Sequence, residues 1–265
     1  MPSIQRPLAL VTGASSGIGA DLARELARNG YDLVLTARRV DRMRELADEL
    51  SSLEAASTII AADLSKPGAA AALAADLKSR SLSPDVLVND AGLGAGGPFH
   101  ESDPARVSDM LYVNVVALTE LTRLLLPAMV ARKSGRVMFV ASTAAFQPGP
   151  SMAVYCASKA FVLSLGEAIA YELRGTGVTV TVLCPGPTYT EFTDVAKTGT
   201  SALFESPVAS VMQSAAVARQ GYRAMIAGKR VHVVGLVNKL VAASGRFSPH
   251  VISLPVTDAI LKPGK

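Results

Sequence analysis

Apolar residues in this chain fall into two kinds of run. Short, continuous β-branched or aliphatic stretches recur at Leu8 to Val11, Leu33 to Thr36, Thr58 to Ala61, Val86 to Val88, Val137 to Val140, Val178 to Leu183 and Val231 to Val234. A strand with one wet face alternates apolar and polar residues, whereas continuous runs suit strands covered on both faces. Between them lie alanine- and leucine-rich stretches with helical spacing, at 17 to 29, 40 to 53, 67 to 80, 104 to 132, 151 to 174 and 208 to 228. Alternating strand and helix with right-handed crossovers predicts an α/β fold built on a doubly wound parallel sheet. No internal repeat, low-complexity block or long linker divides the sequence, so residues 1–265 are expected to form a single domain. The periodicity breaks from about 188 to 207, which reads as a flap beside whatever the fold binds.

Composition narrows the function classes. Apolar residues make up 49% of the chain and charged ones 18%, which excludes a disordered chain or a highly charged tail. Aromatics are 5% and Trp is absent, so an aromatic-lined sugar or nucleic-acid groove is not expected. The net charge of +4 is spread without a Lys/Arg block, which argues against a nucleic-acid partner. Cys156 and Cys184 are too few for a disulfide framework, and His100, His232 and His250 form no ligand pair, so no metal is expected. Two free thiols, no leader-type cleavage site and no uninterrupted apolar run of roughly 18 residues suggest a cytoplasmic chain with no membrane span.

The first strand runs into Thr12-Gly13-Ala14-Ser15-Ser16-Gly17-Ile18-Gly19 and then a helix. Glycines at a strand-to-helix turn let the backbone approach a pyrophosphate, and the helix amino end offers it free N–H groups. About twenty residues further on, a dinucleotide fold carries either a ribose acceptor or a phosphate donor. Here Arg38 and Arg39 close the second strand and no acid does. A guanidinium holds a 2′-phosphate by charge-assisted hydrogen bonds, so NADP(H) is expected over NAD(H). A solvated helix start is the plainer reading of the same pair.

Tyr155 and Lys159 stand four apart near the start of a long predicted helix, on one face. An ammonium beside a phenol lowers its pKa toward the working range of an acid/base. Ser142 follows the strand 137 to 141, at the end where ligands gather in open α/β sheets, and its hydroxyl can hold a substrate oxygen.

Taken in order, TGASSGIG at 12 to 19, NDAG at 89 to 92, Asn114, Ser142, YCASK at 155 to 159 and PGPTYT at 185 to 190 resemble the short-chain dehydrogenases/reductases, and the resemblance runs from about Leu8 to Val234. It implies a single Rossmann domain with seven parallel strands, usually a homodimer or homotetramer. It further implies Tyr155 as acid/base, Lys159 tuning it and binding the nicotinamide ribose, Ser142 orienting the carbonyl, and Asn114 holding a water that links Lys159 to solvent. Cofactor contacts would come from Gly13, Ser15, Ser16, Gly17, Ile18 and Gly19, from Arg38 and Arg39, and from Asp63 and Leu64 at the adenine. Asn89, Ala91 and Gly92 would line the cofactor, with Pro185, Gly186, Thr188 and Thr190 toward the carboxamide. Asp63 also reads as an ordinary turn cap, and Asn114 as a buried polar residue bonded to backbone. Asp90 departs from the family, which usually has a second Asn there, and puts local stability in doubt more than catalysis.

These residues predict an NADP(H)-dependent enzyme interconverting a small-molecule carbonyl and alcohol; the alternative is a catalytically silent NADP(H)-sensing protein on the same fold. Phe99, Phe146, Pro148, Met152, Pro187, Tyr189, Phe192 and Phe204 fall in loops expected near the nicotinamide, so a largely apolar pocket is expected. Together with a likeness to bacterial ketoacyl and hydroxysteroid reductases, this favours a lipophilic ketone or acyl substrate. The tail from about 235 to 265 is longer than the sheet needs. It reads as a packed helix, a pocket closure, a subunit cover or a membrane-surface element.

Overall fold

A computed structural model describes residues 6–192 and 211–261. Seven parallel strands form one sheet: β1 (Leu8–Thr12), β2 (Asp32–Ala37), β3 (Ser57–Ala61), β4 (Val86–Asn89), β5 (Gly135–Val140), β6 (Val178–Cys184) and β9 (Val231–Val233). Their order across the sheet is β3-β2-β1-β4-β5-β6-β9. Each expected strand is present and is displaced by no more than two residues at either end. The strand order reverses beside β1, the point at which open sheets of this kind bind ligands beyond their strand ends.

Alternate residues of each strand enter different cores. Ala9, Val11, Leu33 and Leu35 pack with α1 (Gly17–Arg28), α2 (Val40–Ser51) and α7 (Ser214–Ile226). Leu10, Val34, Phe139 and Val182 pack with α3 (Ala69–Ser79), α5 (Leu118–Ala131) and α6 (Ala153–Glu172). Burial on both sides explains why the strands read as continuous apolar runs. Close approach explains the small residues: a Cβ at Gly166 of α6 would stand 2.3 Å from Val182 Cγ2, and one at Gly221 of α7 would stand 2.8 Å from Leu183 Cδ2.

The expected helix over 104 to 132 is not uniform. It comprises α4 (Pro104–Leu111), a wider π-type turn over Tyr112–Ala117, and α5. This stretch and α6 are long and apolar enough to cross a membrane by length and composition, although neither is uninterrupted. Both flank the sheet, against α3 and β6 respectively. Of the expected flap, Thr188–Tyr189 (β7) pairs in parallel with Met212–Gln213 (β8), while residues 193–207 lie outside those described. The tail forms two helices, α8 (Leu236–Phe247) and α9 (His250–Leu261), separated at Ser248-Pro249.

Candidate active site

The glycine loop is tight because β1 and β4 are pinned together at their carboxyl ends. Thr12 Oγ1 donates to the Val88 carbonyl at 3.2 Å and accepts from the Asp90 and Ala91 N–H groups at 3.2 Å each. Gly13 has φ +73°, and a Cβ there would stand 2.8 Å from Ala91 N, so only glycine fits. After the extended residue Ser16, α1 begins with no acid in its first turn and no side-chain cap, which leaves its amino end open to an anion.

Residues 188 to 192 lie over this loop. Thr190 Cγ2 is 3.0 Å from where a Gly17 Cβ would stand, and Glu191 pairs with Arg39 at 2.7 Å. Arg39 also donates to Ser16 Oγ at 2.8 Å and, more loosely, to Ser15 Oγ. That pairing holds the Glu191 carboxyl below its usual range. The two arginines therefore differ: Arg39 clasps the loop to the 188 to 192 segment, whereas the charge of Arg38 acts on Asp63. Asp63 accepts from the Ser65 N–H and hydroxyl. Burial works against its ionised form, but the Ser65 bonds and the Arg38 and Lys66 charges hold the carboxyl below its ordinary value. It is both a turn cap and part of the cavity wall.

One cavity of about 500 Å³ runs past this loop to the candidate chemistry. Gly13, Ser15, Ser16, Gly17, Ile18, Arg38, Arg39, Asp63, Leu64, Ala91, Gly92, Ser142, Tyr155, Lys159, Pro185, Gly186, Thr188 and Thr190 all reach it. Three expected residues lie outside its wall. Gly19 is backed by Asp90 Oδ2 and the Gly13 carbonyl, which leave no room for a Cβ. Asn89, at the end of β4, turns to the α5 side and donates to Thr122 Oγ1 at 3.0 Å. Asn114 is 1% exposed in the π-type turn, accepts from Leu93 N–H at 2.9 Å and donates to the Leu93 carbonyl and to Ser158 Oγ. Its amide thus serves the loop after Gly92, which is the backbone-bonded reading of this residue. A π-type widening at this helix is of the sort found at functional sites.

Ser142, Tyr155 and Lys159 converge where β5 ends and α6 begins. Ser142 Oγ accepts from the Ala144 N–H at 3.1 Å, and Ser142 acts on the Tyr155 phenol to favour its ionised form. Lys159 Nζ donates to the Val140 carbonyl at 2.8 Å and stands 5.7 Å from the centre of the Tyr155 ring. The expected net lowering of the phenol pKa is absent: burial dominates and raises it, against the lowering effect of Ser142. Burial lowers the Lys159 ammonium in turn, opposed by the nearby Asp90.

Asp90 is the charge that sequence reasoning underrated. Its carboxyl lies against the Gly13 and Gly19 backbones. Burial raises its pKa more than Lys159 and the Gly19 backbone lower it. The available signal was the Asp in NDAG itself.

Of the aromatic and apolar residues expected around the pocket, Met152, Pro187 and Phe192 line it. Phe192 packs on Tyr155 with ring centres 5.5 Å apart, and Gly94 makes the space, since a Cβ there would stand 2.4 Å from Phe192 Cζ. Phe99 and Tyr189 are exposed, and Phe146 and Pro148 stand outside the wall while their neighbours Gln147 and Gly149 form it. Phe204 lies outside the described residues. Asn238 and Val241 of α8 and Thr257 and Leu261 of α9 close the far side, a contribution the sequence reading left open.

A seven-stranded Rossmann sheet with a glycine loop at its switch point and a Ser/Tyr/Lys cluster in the same cavity defines a dinucleotide-dependent oxidoreductase class. Residues 7–200 match the family model described as short chain dehydrogenase, and the chain belongs to that family. It is 36% identical over 192 residues to a short chain dehydrogenase of Pseudocercospora fijiensis, covering 71% of this chain but 62% of that protein. It is 36% identical over 180 residues to an NADP-dependent 3-hydroxy acid dehydrogenase of Salmonella typhimurium, covering 68% of this chain and 71% of the relative. A short-chain dehydrogenase from Sphingobium yanoikuyae, solved in complex with NADPH, superposes with a TM-score of 0.78 at 30% identity, covering 90% of this chain and 92% of that one.

Proposed function

We propose that this chain interconverts a lipophilic ketone or acyl carbonyl and the corresponding secondary alcohol with NADP(H). The observation that carries the reading is that Ser142, Tyr155 and Lys159 share one cavity with the glycine loop and Arg38. The residues fit a dinucleotide: Gly13 and Gly17 lie at positive φ where a side chain would fill the cradle, and the open end of α1 suits a pyrophosphate. Arg38 supports a 2′-phosphate rather than a bare ribose. The apolar wall from Met152, Phe192, Val241 and Leu261 supports a lipophilic substrate. We also expect a homodimer or homotetramer.

When bound, the nicotinamide supplies or accepts the hydride at the carbonyl carbon. In the reducing direction Tyr155 gives its proton to the carbonyl oxygen, so that hydride plus proton convert C=O to CH–OH. Burial raises the phenol pKa, which favours the protonated form this step requires. Ser142 donates to the same oxygen as charge develops there. Lys159 stabilises the phenolate that remains, which is then reprotonated from solvent. Asn114 holds the Leu93 backbone and Ser158, fixing the turn beside Lys159.

The test is a panel of bulky ketones, acyl thioesters and secondary alcohols assayed through nicotinamide absorbance with both cofactors. Turnover with NADPH on a lipophilic member is expected. Tight NADPH binding without turnover on any member would replace the enzyme reading with the sensing one.

A further inference from the structure

The two C-terminal helices are built inside out for a water-facing element. In α8 the residues turned into the protein are Asn238, Ala242 and Gly245. Gly245 approaches so closely that a Cβ there would stand 2.8 Å from Gln147 Oε1. Among the described side chains of α9 the buried ones are Ser253 and Thr257, the latter donating to the Pro148 carbonyl and to its own helix backbone. Several of the large apolar residues face outward instead: Leu236 is 75% exposed, Leu240 66%, Phe247 81% and Val251 79%. At 100° per residue, Leu236, Leu240 and Phe247 fall within a narrow stripe opposite the buried residues, with Lys239 and Arg246 along one margin. An amphipathic surface helix in water shows the reverse arrangement.

Charge decides between the surfaces that could cover this face. Residues 235–265 contain Lys239, Arg246, Lys262 and Lys265 against one acid, Asp258, so 4 − 1 = +3 of the chain's net +4 falls in this segment. Pairing with a second copy across a two-fold axis would bring together two segments that each carry a net +3. An anionic bilayer complements both the stripe and the cations. We infer that α8 and α9 dock the protein onto the surface of an anionic lipid bilayer, with Leu236, Leu240, Phe247 and Val251 in the interface and Lys239 and Arg246 at the headgroups. The helices also form the far wall of the cavity through Val241 and Leu261. Docking thus sets the cavity beside the lipid, a consequence that rests on the proposed lipophilic substrate while the docking itself does not.

The experiment is co-sedimentation of the full chain with vesicles of phosphatidylcholine alone or of equal parts phosphatidylcholine and phosphatidylglycerol, with sedimentation velocity in the absence of lipid. The chain should pellet with the anionic vesicles at low salt and be released by high salt. Leu240→Glu with Phe247→Glu should stay in the supernatant while keeping wild-type NADPH affinity, which shows that it is folded. Lys239→Gln with Arg246→Gln should weaken partition about thirtyfold, the worth of two cations at an anionic surface. Failure to pellet with either vesicle, or equal pelleting of wild type and Leu240→Glu/Phe247→Glu, would overturn the inference. So would an oligomer that this double variant dissociates without any vesicle binding, which would make the face an interface between copies. Loss of NADPH binding in the wild type would instead strike the proposed function and leave the docking result standing.

Discussion

Replacing Arg38 by Asp tests how the cavity chooses its cofactor. Two arginines follow β2, but Arg39 is already committed to Glu191 at 2.7 Å and to Ser16 at 2.8 Å. Arg38 is therefore the guanidinium assigned to a 2′-phosphate. A hydrogen bond to a charged group is worth about 1.5–3 kcal/mol, which converts to about 10- to 150-fold in affinity. Arg38 is exposed, so screening places the expected effect near the lower end. An aspartate at the same position repels a phosphate and accepts from a ribose hydroxyl, so the NADPH-to-NADH affinity ratio should fall at least about tenfold. The assay is nicotinamide fluorescence titration with each cofactor at fixed ionic strength, repeated at high salt, where the wild-type preference should narrow. Arg39→Ala is the control: it frees Glu191 and loosens the loop, so both affinities should drop together. An unchanged ratio in a folded Arg38→Asp protein would refute the assignment.

Asp90→Asn should change the pH dependence of stability. Burial raises the Asp90 carboxyl above its unfolded value, so the native state holds a proton that the unfolded chain gives up. The stability from that proton is complete below the unfolded carboxylate pKa and is lost as pH rises through the folded one. Relative to wild type, the Asn variant should gain Tm as pH is raised through that window and show no gain in acid; parallel Tm profiles would contradict this. Gly166→Ala puts a Cβ 2.3 Å from Val182 Cγ2, an overpacking worth about 1–3 kcal/mol. Calorimetry should show Tm lowered by several degrees, with weaker NADPH binding because α6 also carries Tyr155 and Lys159; an unchanged Tm would mean that α6 sits farther from β6.

Much of the fold was legible because it depends on local pattern. The five inner strands are covered on both faces, and continuous apolar runs mark that condition directly. The two-residue strands β7 and β8 are too short to leave a periodic signature, and the π-type turn at Tyr112–Ala117 changes helix width without changing apolar spacing. In the site, the motif residues found the cavity, but their directions did not follow from spacing. Asn89 points to Thr122 because successive strand residues face opposite sides. The Asp90 contact with the Gly13 and Gly19 backbones joins segments some seventy residues apart. The raised pKa of the Tyr155 phenol likewise reflects its burial, whereas the sequence displays only its lysine neighbour.

The most direct test is single-turnover reduction by the Tyr155→Phe protein, on a ketone that the wild type reduces, with NADPH affinity measured in parallel. Removing the phenol hydroxyl takes away the proton donor and leaves the ring packing on Phe192 intact. NADPH affinity should stay near wild type while the chemical step falls by about 10² to 10⁴, the usual worth of a positioned general acid. Reduction at the wild-type rate with NADPH bound would contradict the assignment of Tyr155 as the acid.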